Sequence, residues 1–331
     1  MSDIRLTLAL QDGLFSLPEA PARTIVFRPH DAAQIGSFDP ALTSVEHGFR
    51  PTHDALARAG WQVSAQAAGE YALAVVILQR AKAHNMGLVA RAMEMTGGGP
   101  VVIDGQKTDG AEPMIKALKR AGATLSEVIS KAHGKLVVAR GGDLAGWHHQ
   151  GYQPAPGFRT APGMFSPDRP DRGSQTLAAA LPDDLSGHVA DLGAGWGYLS
   201  AAILSRGAVA ECHLIEAEHD ALMAARANIS DSRAQFHWAD ARGTLDLSGL
   251  DHVITNPPFH TDRAAAPELG QAFIAQAARL LGPRGTLWLV ANRHLPYERT
   301  LAQYFGKISE LAGDPGFKVF RAERLLRKPS R

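Results

Sequence analysis

Apolar residues along this chain fall into short continuous runs, separated by stretches in which they recur at helical spacing. In the first half, Thr24–Arg28, Tyr71–Leu78 and Val101–Asp104 read as buried strands, and Val128–Ser130 and Leu136–Ala139 as two more. Between them Lys82–Met95 and Glu112–Ala121 carry helical periodicity, the first stopped by Gly97-Gly98-Gly99-Pro100. In the second half the alternation is more regular. Strands are expected at His188–Leu192, Glu211–Ile215, Gln235–Trp238, Asp251–Thr255 and Thr286–Ala291, with a closing pair at Ile308–Leu311 and Phe317–Arg321. Helices are expected at Gly173–Leu181, Tyr198–Ser205, Ala217–Ile229, Gly270–Leu280 and Thr300–Phe305. Strands alternating with helices predict an α/β fold with helices on both faces of a largely parallel sheet. The Pro/Gly-rich segment Gly151–Gly157 interrupts the rhythm and separates two expected domains, 1–150 and 157–331. Their shared pattern suggests an old duplication.

Composition narrows the picture. A chain of 331 residues with 45% hydrophobic and 20% charged residues can build two sizeable cores. The formal net charge of +1 provides no global field for nucleic acid, so such a partner would need a local basic patch. One candidate is Arg321, Arg324, Arg327, Lys328 and Arg331, for which a solvated tail is an equal explanation. A single cysteine, Cys212, excludes a disulfide framework or a multi-cysteine zinc site within one chain, and no metal centre is expected. The N-terminus has no signal-like apolar core, and the run Ala72–Leu78 is far short of the ~20 residues of a membrane helix. A soluble, cytoplasmic protein is expected.

Four motifs carry chemistry. Asp191-Leu192-Gly193-Ala194-Gly195-Trp196-Gly197 follows one strand and opens a helix, where glycines let the backbone turn tightly and approach a ligand. The acidic residue ahead of them would repel a pyrophosphate and suits a ligand with a cationic amino acid portion. Glu216 ends the next strand, where an acidic side chain commonly holds ribose hydroxyls. Asp240, followed by Ala241, ends a third strand and can accept from an adenine amino group, or equally cap a turn. Asn256-Pro257-Pro258-Phe259 closes a fourth strand. Its prolines cannot continue a ladder and make a rigid projecting loop. Asn256 supplies an acceptor and a donor, Pro257 a carbonyl, and Phe259 a flat face for stacking. Together they fit an exocyclic amino group on a planar substrate.

These motifs, in this order, resemble class I S-adenosylmethionine-dependent methyltransferases acting on planar nitrogens. A narrower likeness rests on Gly163-Met164-Phe165-Ser166, Gly173-Ser174-Gln175, Asn256–His260, Val290–Tyr297 and Phe317–Ala322. It is to the ribosomal RNA guanine-N2 methyltransferases, the bacterial small-subunit methyltransferase C and large-subunit methyltransferase G. The resemblance implies two tandem Rossmann-like domains, the N-terminal one degenerate and serving folding and RNA docking. It also implies a seven-stranded catalytic sheet whose last strand, near Phe317–Arg321, runs antiparallel. Val102–Gly105 is expected to lie where the first domain's cofactor loop would be, followed by Gln106–Gly110 without the glycines. The implied cofactor is S-adenosylmethionine, held by Asp191, Gly193, Gly195, Glu216, Asp240 and Ala241, with Phe165, Ser166 and Gln175 lining the crevice. The implied substrate is ribosomal RNA, the small subunit ahead of the large. Adenine N6, a protein glutamine and a non-catalytic role are the alternatives. Asn292 and Tyr297 either orient RNA or pack.

Overall fold

The structure, a computed structural model, describes residues 3–258, 260–261, 264–265, 267–313 and 315–326. The chain divides into two compact units, Met1–Gly151 with Ala161–Gly163, and Tyr152–Thr160 with Met164–Arg331. The linker-like stretch after Gly151 therefore belongs to the second unit.

The first unit is built on one sheet. Its strands stand in the order Gln62–Ser64, Thr43–Glu46, Thr24–Phe27, Leu73–Ile77, Val101–Gln106, Gly134–Arg140 and Thr124–Leu125, with Ile129–Lys131 also pairing to Gly134–Arg140. The first five are parallel and Gly134–Arg140 is antiparallel to its neighbour. Thr24–Phe27 and Leu73–Ile77 are buried along their whole length, as expected of strands covered on both faces. Three strands were not expected from the sequence, one of them the two-residue Thr124–Leu125. Thr43–Glu46 contains one apolar residue, and the edge strand Gln62–Ser64 is only partly buried, so neither shows an apolar run.

Those two strands change the count. Thr24–Phe27 is the central strand that starts the fold, and Val101–Gln106 is the fifth. The expectation that Val102–Gly105 marks the old cofactor loop is therefore wrong. That position falls to Arg28-Pro29-His30-Asp31, directly after Thr24–Phe27, and it contains no glycine.

In the second unit we number the strands β1 (Gly187–Leu192), β2 (Val209–Glu216), β3 (Ala234–Trp238), β4 (Leu250–Thr255), β5 (Leu281–Asn292), β6 (Phe305–Gly313) and β7 (Phe317–Leu325). The helices are α1 (Arg172–Ala180), α2 (Tyr198–Leu204), α3 (His219–Asn228), α4 (Pro267–Leu280) and α5 (Glu298–Leu301). The seven-stranded sheet has the order β3-β2-β1-β4-β5-β7-β6, which the first unit shares over its first five strands, with β7 antiparallel to both neighbours. Side chains alternate across the sheet. Ala190, Leu192, Val253 and Leu289 pack with Phe273, Ile274 and Ala277 of α4. Val189, Leu214, Ile254 and Val290 pack on the other face with Leu199, Ile203, Leu222 and Ala225 of α2 and α3. Each fully buried Leu, Val or Ile contributes about 1.5–3 kcal/mol.

This topology fixes where a ligand can sit. The chain leaves β1 toward β2 on one side and enters β4 on the other, so a crevice opens outside the carboxyl ends of β1 and β4. The Thr255 hydroxyl donates to the Leu192 carbonyl at 2.8 Å and ties those two ends together.

Candidate active site

Both motif loops leave the sheet at this crevice. After β1 the glycines turn with positive φ: Gly193 at 77°, Gly195 at 56° and Gly197 at 94°. The amides of Gly193 and Ala194 both donate to the Ile215 carbonyl, at 2.9 and 3.1 Å, so the loop is pinned to β2. A Cβ on Gly197 would lie 2.8 Å from Ile229, whereas one on Gly195 would meet nothing within 4 Å and would project into open space. A cleft lies over this loop, and its lining includes Gly193, Gly195, Trp196, Phe165, Ser174 and Asn256.

Asp191 is placed differently from the sequence expectation. Strand alternation directs it to the α2 face, where it is fully buried beneath the loop rather than lining the cleft. Its Oδ2 accepts from the Ser200 hydroxyl at 2.6 Å, and its Oδ1 has no partner. Burial pushes its carboxyl up to about 7; the Ser200 hydrogen bond opposes this and the Glu216 charge adds to it. Glu216, at the end of β2, accepts from the amides of Gly195 at 2.8 Å and Glu218 at 2.7 Å. Burial raises its carboxyl, and those amides work against the rise. Each of its oxygens keeps a lone pair for a further donor.

Asp240, beyond β3, is engaged by Arg242 through its amide, Nε and Nη2, all at 2.9 Å. Ala241 packs in the core beneath α4. Neither lines the cleft. Phe165 does, and it is 62% exposed at the cleft. The Trp196 indole donates to the Phe165 carbonyl at 3.0 Å, and Phe158 meets Trp196 edge-on at 5.3 Å. Asn228 of α3 bonds the backbone of Arg159 and the carbonyl of Trp196, holding the same segment. Gln175 does not line the cleft. It is exposed and donates to the Pro170 carbonyl, because adjacent helical residues point about 100° apart. Its neighbour Ser174 faces the cleft instead.

At the end of β4, Asn256 meets α1. Its Nδ2 donates to Asp171 Oδ2 at 2.9 Å and to Ser174 Oγ at 2.8 Å. Its Oδ1 is buried without a hydrogen-bond partner. Pro257 is buried and Pro258 exposed, as a rigid loop turning out of the sheet would be. Phe259 lies outside the described residues, as do Arg327, Lys328 and Arg331 of the basic run. Arg321 of that run bonds Glu323 at 2.8 Å and stacks on Trp288. Tyr297 is fully buried among core residues, so it packs; Asn292 ends β5. Sequence reasoning missed Asp171, Trp196 and Asn228. For Asp171 the only signal was an Asp-x-x-Ser helix cap, 85 residues away from Asn256.

The set fits S-adenosylmethionine. It offers a glycine cradle, the Glu216 carboxylate with lone pairs to spare at the end of the second strand, and a partnerless oxygen on Asn256 that suits a hydrogen-bearing group. The first unit offers no such set at its equivalent crevice. There Glu46, at the end of its second strand, is buried and closed off by the Arg91 guanidinium and the Ala67 amide.

Comparison with known proteins agrees. Residues 156–321 match the family described as Methyltransferase small domain. The ribosomal RNA small subunit methyltransferase C of Salmonella paratyphi A is 32% identical over 236 residues, covering 69% of this chain and 68% of that protein. The protein of the same name from a Shewanella species is 28% identical over 240 residues, covering 69% of this chain and 70% of its own. Among solved structures, a T. thermophilus 16S rRNA N2 methyltransferase, in complex with AdoMet and guanosine, superposes with a TM-score of 0.78. It covers 95% of this chain and 91% of its own at 23% identity, a likeness of fold. With its cofactor cradle, its Asn-Pro-Pro loop and these relatives, the chain belongs to the methyltransferase small domain family, in the branch of the ribosomal RNA small subunit methyltransferases C.

Proposed function

We propose that this protein methylates the exocyclic N2 of a guanine in 16S ribosomal RNA, within the small subunit or an assembly intermediate. The observation that carries the reading is the buried, partnerless Oδ1 of Asn256 in the same cleft as the glycine loop. A buried acceptor left unpaired costs about 1–3 kcal/mol, so it favours a ligand that brings an N–H to it. Bound S-adenosylmethionine supplies a sulfonium-activated methyl group. Gly193 and Gly195 cradle that cofactor, Glu216 takes its ribose, and Asp191 lies under its charged end.

Guanine N2 is a weak nucleophile because its lone pair is delocalised into the ring. The Asn256 oxygen and the Pro257 carbonyl accept hydrogen bonds from its two N–H groups and stabilise the positive charge that develops on nitrogen, which is discharged when one of those protons is lost to water. Positioning of this kind contributes up to ~7–11 kcal/mol to a bimolecular step. A stacked guanine must first leave its neighbours, at a few kcal/mol, and Phe259 or Phe165 offers it a ring face. The net charge of +1 fits a large target held at many points rather than naked RNA held by charge.

The test uses small subunits, large subunits and free RNAs from a strain lacking the gene. Each is incubated with the protein and labelled cofactor, then digested to nucleosides for mass spectrometry. N2-methylguanosine from the small subunit is expected. Label in N6-methyladenosine or in a protein glutamine would overturn the substrate class, and label in large-subunit RNA alone would overturn the subunit.

A further inference from the structure

The amide of Asn256 has two orientations, and they suit opposite substrates. With Oδ1 toward the cleft it accepts from an amino group; with Nδ2 there it would donate to a ring carbonyl. We propose that Asp171 and Ser174 set this choice: they are positioning residues that clamp the Asn256 amide and make the site an acceptor of amino groups. The inference rests on the guanine-N2 reading and names what enforces it.

Three observations support it. Both Nδ2 hydrogens are taken, by Asp171 Oδ2 at 2.9 Å and Ser174 Oγ at 2.8 Å. A carboxylate only accepts, so the flipped amide would set Oδ1 against Asp171 and lose that bond. Asp171 is itself fixed, because the same Oδ2 caps α1 by accepting from the Ser174 amide at 2.9 Å. The clamp therefore stands on the first turn of a helix rather than on a free loop side chain. The remaining Asn256 oxygen is buried and partnerless, which is the state a waiting acceptor would have. A charged partner on Nδ2 also polarises the amide and strengthens Oδ1 as an acceptor.

The test uses the full chain with Asp171→Asn, Ser174→Ala and the double variant. Asp171→Asn keeps a capping oxygen but removes the charge. Ser174→Ala keeps the capped amide and removes only the hydroxyl, so it serves if the first variant unfolds; thermal melting checks both. Calorimetry with S-adenosylhomocysteine present measures guanosine against inosine, which lacks the 2-amino group. The wild type is expected to favour guanosine at least about tenfold, because inosine leaves Oδ1 unpaired. In the double variant that preference should collapse toward unity, and kcat should fall about 10²-fold with cofactor affinity within about twofold. In an Asn256→Ala background, adding Asp171→Asn should cost nothing further, since the clamp then holds nothing. Retained guanosine preference and rate in the double variant, or full additivity on Asn256→Ala, would overturn the clamp while leaving the guanine reading intact. A wild type blind to the difference between guanosine and inosine would overturn the reading itself, and the clamp with it.

Discussion

Asn256 makes its useful contact only when a substrate nitrogen arrives, so its removal should appear in turnover rather than in cofactor binding. Asn256→Ala is expected to lower kcat by on the order of 10²–10³, by comparison with lost transition-state hydrogen bonds. Cofactor affinity from calorimetry should stay within a fewfold; an equal loss there would mean that the loop merely supports the cleft. Asp191 offers a different test. Its carboxyl titrates near 7 when folded against an ordinary 3.8, so below about pH 4 it is protonated in both states and costs nothing. Between about pH 4 and 7 the unfolded chain releases the proton first, and stability falls as pH rises, levelling above 7. Asp191→Asn should therefore gain stability over the wild type by a margin that widens from pH 4 to 7 in the absence of cofactor. Melting curves for both proteins across that window check it; a constant difference would show that the carboxyl is ionised throughout. Much of this chemistry was legible in the sequence, because each motif is contiguous and ends a strand. What was not legible was depth and company. The motifs name residue types but not what packs against them, and that decides that Asp191 lies beneath the loop, that Arg242 engages Asp240 and that Ser174 rather than Gln175 faces the cleft.

At the scale of elements, α4 closes over the core by a contact that only glycine permits. A Cβ on Gly270 would lie 2.0 Å from the hydroxyl of the fully buried Tyr297. Gly270→Ala, which would normally favour a helix by about 1 kcal/mol, should here destabilise by about 1–3 kcal/mol through overpacking. A denaturant midpoint that rises instead would show that Tyr297 can move aside. The second unit's central strands were readable because they are long and largely buried, and their ends set the motifs apart. In the first unit Thr43–Glu46 and Gln62–Ser64 are short and polar, and their stability comes from neighbours rather than from pattern. Overlooking them shifted the strand count, and the count alone decides which loop corresponds to a cofactor loop.

For the whole molecule, the common strand order of the two sheets sets an expectation of stoichiometry. Calorimetry should find one S-adenosylmethionine per chain, and Gly193→Arg should abolish it, since this residue turns at φ 77° with Phe273 3.3 Å from its would-be Cβ. Binding at two sites, or binding that survives the substitution, would place a cofactor in the first unit. The Glu46–Arg91 pair makes that outcome hard to reach by mutation as well. Turning the first crevice into a nucleoside pocket requires glycines after Phe27, an open Glu46 and the departure of Arg91. Taking away Arg91 first strands a carboxylate whose side chain is only 6% exposed. Fully buried pairs broken in this way lose about 3–5 kcal/mol, and the partly exposed Arg91 scales that down without removing it. Adding glycines first loosens a turn and leaves Glu46 occupied. Every intermediate is a less stable protein with no new ligand, so the first unit works as a ratchet: a crevice filled with its own side chains is held shut by the stability they supply.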